Sequence, residues 1–502
     1  MLGAAALLVA SGVGAQEAGR AVTPQARAPG QVAAVADAAL ATAILDSVAL
    51  DKAAAGTDAF LRAQMEQSHI PGLQAAVVWH GRIVFARAYG VANLQTPVPV
   101  TAETIMAVNS ITKAFTGVAA VRQAMAGALD LEAPVGRYLD DLPEAWRAIP
   151  IRQLLSHMSG LPDINAAPGA RAAETTQDAV WAWVRAQPVK FPPGERFDYC
   201  QTNYALVQRV LDKLAGLPPD TPVTPPLFQL AGMAHTGFGD STMVTPGKAA
   251  GYVYAKGDEG ARVLRPVYEI FRPLHRASSG MDSTAEDMAR WMIAVTDGRL
   301  LDAAGRQTLW TPMAFNDGHP GQWAMGWEVL DRGHGHRAVG MTGGGRAAFF
   351  LYPEDDLGVV ILTNLSGAVP EDMIDQVAAL YGARLGGMAA LRVAVQRQGY
   401  DQAATIAAGL AQADPDFRPA EAELNDWGYR LLSNGQSRDA LAILKLAADR
   451  FPDSGNAQDS LGEALAATGD KPGAIAAYER SLALDPKNRN AERRLEKLRA
   501  GG

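Results

Sequence analysis

The C-terminal part of the chain repeats itself. Gly428 and Gly462 stand 34 residues apart, and so do Gly435 and Gly469, Ala440 and Ala474, Leu444 and Tyr478, and Pro452 and Pro486. A period of that length restricts the tract to small helical units that stack on one another. One such unit alone cannot cover its own apolar face. The paired small residues predict places where helices cross closely, and each proline predicts the end of a unit. Gly399, Ala404 and Pro415 suggest a looser unit upstream, and 490–498 reads as a polar capping helix.

Before about residue 386 the pattern differs. A helical pattern over 37–67 leads to two strand-like runs, 73–79 and 82–89, around His80 and Gly81, which predicts a β-hairpin. Helix-like segments fill 127–215, and short apolar runs return at 327–330, 337–342, 348–352 and 359–363. Strands at both ends with helices between predict an α+β domain over 45–385, an antiparallel sheet flanked by helices. The tract at 386–502 resembles the tetratricopeptide repeat, an all-α architecture. That resemblance implies a protein or peptide partner on a concave helical surface. The alternative is a stabilising extension packed on the first domain, because two clear units and one loose one are few for an independent stack.

Bulk properties narrow the function. The 502 residues are 48% hydrophobic and 20% charged, ample for a sizeable core, and the net charge of −8 gives no support to nucleic-acid binding. A single cysteine, Cys200, excludes an internal disulfide and a cysteine-based metal site. His334 and His336 lie in a glycine-rich turn signal and read as an exposed turn, so no metal and no cofactor are expected. The apolar run at 1–10, with Val13, Gly14 and Ala15 before Gln16, resembles a signal peptide over 1–15, although a basic start is missing. A flexible leader rich in Ala, Pro, Gly and Gln follows at 16–44, and the mature chain is expected to be periplasmic or secreted, with no membrane span.

Ser110-Ile111-Thr112-Lys113 carries the chemistry. In a helix the hydroxyl and the amine share one face. A serine becomes a nucleophile near neutral pH only with a base beside it. A lone pair of this kind is more often a polar helix face. Its neighbours decide otherwise: Pro71-Gly72-Leu73, then Leu154 through Pro162, then Phe191 through Tyr199, then Ser278 through Ala289, then Thr342-Gly343-Gly344. With Ser110 and Lys113 these segments resemble the serine β-lactamase-like hydrolases, the group of class C β-lactamases, D-alanyl-D-alanine carboxypeptidases, D-aminopeptidases and related esterases.

The resemblance implies acyl transfer. Ser110 would attack a carbonyl, Lys113 and Tyr199 would share the proton work, and the backbone N–H groups of Ser110 and Gly344 would hold the oxyanion. Thr342 and Gly343 would border the substrate on a strand edge. Two departures from the family pattern stand out. Gln201 takes the place of an Asn, which keeps the amide but moves it outward. Met341 takes the place of a Lys or His, which removes a cation. The loss of that cation predicts weak or absent β-lactamase activity and a preference for neutral esters or amides. Arg346 either supplies a substitute cation to a substrate carboxylate or lies on the surface. His157 and Ser156 are expected to cap and pack at a helix end away from the chemistry, and Cys200 to fill space. Two other functions stay open: a D-alanyl-D-alanine carboxypeptidase or D-stereospecific peptidase of cell-wall metabolism, and a degenerate hydrolase acting as a scaffold through its repeats.

Overall fold

The computed structural model describes residues 29–170, 175–239, 243–257 and 262–500, with backbone only for 29–46. The expected signal peptide and the start of the leader lie outside the described residues. The backbone from Pro29 to Ser68 is one helix, so helix begins within the stretch expected to be leader. No described helix is long and apolar enough to cross a membrane.

Thirteen strands follow in chain order among the described residues: β1 (Gly72–Trp79), β2 (Arg82–Asn93), β3 (Val98–Pro99), β4 (Met106–Ala107), β5 (Gly237–Phe238), β6 (Gly251–Lys256), β7 (Arg262–Val267), β8 (Met281–Ser283), β9 (Glu328–Gly333), β10 (His336–Gly343), β11 (Ala347–Tyr352), β12 (Leu357–Thr363) and β13 (Leu365–Ser366). Seven form one antiparallel sheet in the order β3-β2-β1-β12-β11-β10-β9. The hairpin turn is as the sequence predicts: His80 and Gly81 both hold positive φ, 48° and 67°, which suits a two-residue turn between twisted strands. At the centre of the sheet β1 pairs with β12, Leu73 opposite Thr363. The strands near the two ends of the domain therefore meet, and the helices between them form a lobe on one side.

Both sheet faces are buried, which explains why β11 and β12 read as unbroken apolar runs. Phe349, Leu351, Val360 and Leu362 face the helices Thr112–Met125 and Ala285–Thr296. Phe350, Tyr352, Val359 and Ile361 pack with Leu61 and with Ile374 and Val377 of the helix Glu371–Leu380 on the other face. The domain is thus a three-layer α+β fold. The helix Thr112–Met125 is held tightly in the first layer. Phe115 stacks on Trp291 with centroids 3.7 Å apart, and Trp327 Nε1 donates to the Ala114 carbonyl at 3.1 Å. A Cβ on Gly117 would lie 1.7 Å from the Met325 carbonyl oxygen, so only glycine fits there.

The C-terminal tract is helical throughout, with antiparallel pairs Glu421–Ser433 with Ser437–Arg450 and Gly455–Ala467 with Lys471–Leu484, closed by Arg489–Arg499. The looser unit upstream is Gly387–Gln398 with Ala403–Ala413. The repeated small residues sit at the helix crossings. A Cβ on Gly428 would lie 2.4 Å from Leu444, and one on Gly462 would lie 2.8 Å from the Tyr478 ring. The tract is also tied to the α+β domain. Arg392 and Arg430 reach Asp372 at 3.0 and 3.2 Å, and Arg262 donates to the Asn434 carbonyl at 2.7 Å.

Gly428→Ala is expected to overpack the crossing at a cost of about 1–3 kcal/mol. Hydrogen–deuterium exchange of peptides covering 421–450 in the full-length protein should quicken accordingly. Unchanged protection would mean that Leu444 has room to yield.

Candidate active site

Ser110 sits in a 3-10 turn, Asn109–Ile111, that opens the helix Thr112–Met125. This short turn sets the Ser110 hydroxyl at the helix mouth and Lys113 one turn inside. Lys113 is completely buried. Its Nζ donates to Gln201 Oε1 at 2.9 Å and to the Ser278 carbonyl at 3.0 Å. It also lies 4.6 Å from the Tyr199 ring centroid and 5.2 Å from that of Tyr204. Burial is the main cause that lowers Lys113 from its ordinary value to about 7, against the opposing pull of Asp163. A neutral amine has two N–H bonds and one lone pair. Gln201 and Ser278 take both N–H bonds, which leaves the lone pair for a proton.

Tyr199 ends an extended segment immediately before the helix Gln201–Ala215. Its phenol interacts with the Ser110 hydroxyl and with Gln201. Burial raises the phenol well above its usual range, and the nearby carboxylates Glu328 and Asp163 push the same way, while Ser110 and Gln201 oppose. The phenol therefore stays protonated at neutral pH, and the neighbouring amine is the group ready to accept a proton.

Gly343 and Gly344 close the site from the end of β10. A Cβ on Gly343 would fall 2.1 Å from the Val108 carbonyl oxygen and 3.3 Å from the Ser110 nitrogen. Gly344 holds φ of 58° and backs onto the Asn109 side chain. Glycine at these two positions lets the strand end pass directly beside the Ser110 turn. A cavity of about 340 Å³ opens over this junction, with Ser110, Gln201, Gly344, Asn165, Glu269 and Phe271 among its walls. Tyr268 stands at its rim, 86% exposed.

The structure places Ser110, Lys113, Tyr199, Gln201 and Gly344 around one junction. Gln201 holds Lys113, one of the two roles foreseen for it. Three other candidates stand elsewhere than expected. Met341 is 1% exposed and faces the core beside Val339, because strand alternation turns its side chain inward. Thr342 donates to Glu328 Oε1 at 3.2 Å. Arg346, 4% exposed, offers no open guanidinium, since it pairs with Glu269 at 3.2 Å and donates to the Ser366 hydroxyl.

His157 is packing, as predicted, but not remote. Its ring lies 4.3 Å from that of Tyr199, and its Nδ1 accepts from the Cys200 backbone N–H at 3.1 Å. Burial, with Lys113 adding to it, pushes His157 well below its ordinary value, so the ring is a neutral backing for the phenol. Cys200 is buried, and its thiol is pushed up to about 12 by burial, which removes it as a nucleophile. His334 and His336 pair with Asp414 at 3.5 Å and Asp355 at 3.1 Å. Sequence reasoning passed over Glu269, Glu328, Asp163 and Asn165, which reach the site from loops and from β9 and lie in none of the motifs.

A family profile described as Beta-lactamase matches residues 57–383, and one described as Tetratricopeptide repeat matches 425–489. The chain belongs to the beta-lactamase family. Among curated relatives, Protein flp of Staphylococcus aureus (strain COL) is 23% identical over 63% of this chain. The putative penicillin-binding protein PbpX of Bacillus subtilis is 27% identical over 53% of it. The chain spans 64% of the length of each of these two proteins. Among solved structures, the octameric penicillin-binding protein homologue from Pyrococcus abyssi has a TM-score of 0.56 at 22% identity, covering 68% of this chain and 80% of that one. EstCE1, a hydrolase with promiscuous acyltransferase activity, also has a TM-score of 0.56, at 20% identity, covering 67% of this chain and all of its own. These solved structures share the fold of this beta-lactamase-family chain.

In the folded protein Lys113 is expected to titrate near 7, charged below that pH and neutral above it. With [13C-ε]lysine, NMR should show one lysine moving through that midpoint. A full set of lysines titrating near 10 would exclude the neutral amine.

Proposed function

We propose that this beta-lactamase-family protein hydrolyses ester or amide bonds through an acyl-enzyme on Ser110. The observation that carries this reading is the fully buried Lys113, brought to about 7 and 4.6 Å from the ring of Tyr199, whose phenol interacts with Ser110. Lowering an amine that far from 10.5 corresponds to roughly 5 kcal/mol of differential solvation, all of which favours the neutral base.

The Ser110 oxygen bonds to the carbonyl carbon while its proton passes to Lys113 through the Tyr199 phenol, which gives up its own proton as it takes one. The oxyanion is held by the backbone N–H groups of Ser110 and Gly344. Each such donor is worth about 2.7–4 kcal/mol in comparable sites. Lys113 then returns the proton to the leaving group as its bond to carbon breaks. Water attacks the ester, again with Lys113 taking the proton, and Ser110 recovers its hydrogen as the acid departs.

The substrate preferred in this reading is neutral. Met341 replaces the family's cation and faces the core, Arg346 is engaged by Glu269, and the acidic side chain Glu269 borders the cavity. Among the described residues that line the cavity, none is a lysine or arginine that could meet the carboxylate of a β-lactam. A second reading, a D-alanyl-D-alanine carboxypeptidase, draws on the relatives named as penicillin-binding proteins. Release of D-alanine from a muropeptide pentapeptide tests it. The repeat tract is proposed to hold a protein or peptide partner.

Ser110→Ala should abolish hydrolysis of p-nitrophenyl butyrate and labelling by a fluorophosphonate. Either surviving would remove Ser110 from its role. In the wild type, kcat/KM should fall about tenfold per pH unit below pH ~7 as Lys113 gains its proton. Nitrocefin should be turned over with a kcat/KM orders of magnitude below that for the ester.

A further inference from the structure

Glu269 belongs to none of the sequence motifs, yet it joins the two halves of the site. It lies on the rim segment just after β7. Both of its carboxylate oxygens are 3.1 Å from Asn109 Nδ2, and its Oε2 is 3.2 Å from Arg346 Nη1. Asn109 immediately precedes Ser110 and holds φ of 46°, a left-handed conformation that persists where the surroundings hold it in place. Arg346 ends the turn that begins at Gly343. Its N–H donates to the Gly343 carbonyl at 3.0 Å, and its own carbonyl accepts from the Thr363 N–H at 2.7 Å. Gly344 lies within that turn, and a Cβ there would fall 2.3 Å from Asn109 Nδ2. One amide thus touches both the carboxylate and the glycine turn.

The orientation of Asn109 is specific. Its Oδ1 is buried with no hydrogen-bond partner among the described residues, while its amide nitrogen spans the carboxylate. The side chain leaves an acceptor unsatisfied in order to keep its donor on Glu269. Arg346 in turn is a buried guanidinium. Glu269 is the carboxylate paired with it, and it offsets the cost of burying that fixed positive charge.

We infer that Glu269 is a positioning residue: it sets the spacing between the Ser110 and Gly344 backbone donors by tying Asn109 on one side to Arg346 on the other. The inference rests on the acyl-enzyme reading above. Without the carboxylate, Asn109 loses its tether and Arg346 becomes an uncompensated buried cation. Both hydrogen-bonded halves of the oxyanion pocket are then free to shift.

The test uses the full-length protein, p-nitrophenyl butyrate and an arylboronic acid, which takes up the tetrahedral oxyanion geometry on the serine. Glu269→Ala should lower kcat roughly ten- to a hundredfold, less than deletion of a donor outright, with KM within about twofold. Boronic acid affinity should fall by the same factor as kcat. Glu269→Gln keeps an acceptor for Asn109 but drops the charge, so it should fall between wild type and Glu269→Ala. It carries the test alone if the alanine variant does not fold. The Asn109→Ala/Glu269→Ala double variant should be no worse than the worse single one, because both cut one linkage. The inference is overturned if kcat is unchanged, if boronic acid affinity does not follow it, if the two losses add, or if only esters bearing an ammonium group are affected. A wild type that a fluorophosphonate does not label sinks the acyl-enzyme reading itself. A labelled wild type with an indifferent Glu269→Ala sinks only the positioning role.

Discussion

Burying one ammonium group is the constraint around which the site is arranged. Lys113 has no contact with solvent, and a protein interior tolerates a lysine there only by making the charged form unfavourable or by surrounding it with acceptors. This protein does both. The amide of Gln201 and the carbonyl of Ser278 satisfy the amine in its neutral state, and the rings of Tyr199 and Tyr204 fill the remaining space. Those partners come from two segments distant from Lys113 in the chain, so the fold must bring the turn at Ser110, the start of the helix Gln201–Ala215 and the loop before β8 to one point. Gly117 against Met325 and Trp327 against Ala114 anchor the helix that carries the lysine.

The second structural demand is the approach of β10 to the turn that carries Ser110. Glycines 343 and 344 make it sterically possible, but absence of a Cβ does not fix a distance. Polar ties from outside the strand do. Arg346 bonds to Ser366 of β13, accepts through its carbonyl from Thr363 of β12, and meets Glu269 on the rim. The central strands and the active-site wall are therefore parts of one hydrogen-bonded framework. The same Arg346 that looked like a spare cation in the sequence is consumed by that framework.

The sequence disclosed what rests on local pattern. Period-2 and unbroken apolar runs located β1, β2 and β9 through β12 to within a few residues, and the 34-residue spacing located the helix crossings at Gly428 and Gly462. Ser110, Lys113, Tyr199, Gln201 and Gly344 were legible because each belongs to a short motif with a chemical rationale. The short strands β4, β5 and β8 were not, since two or three residues carry no periodicity. Nor were Glu269 and Glu328, whose importance comes from distant partners. An acid at 269 means nothing until Asn109 is seen beside it. Met341 misled in the opposite sense: its place in a motif pointed to the substrate, but the strand's alternation sends its side chain to the core.

The pairing of Leu73 with Thr363 has a bearing on how the molecule is made. The two residues are about 290 positions apart, so the middle of the large sheet cannot assemble on the ribosome until nearly the whole domain has been synthesised. Before that, β1 and β2 exist at most as an isolated hairpin, with one apolar edge waiting for β12. The helical repeats face no such delay, since each folds against its immediate neighbour in the chain. Biogenesis should therefore pair a late, cooperative closure of the sheet-bearing domain with rapid local ordering of the tail. A partly elongated or truncated chain would be an aggregation hazard, with its central strand edge unprotected.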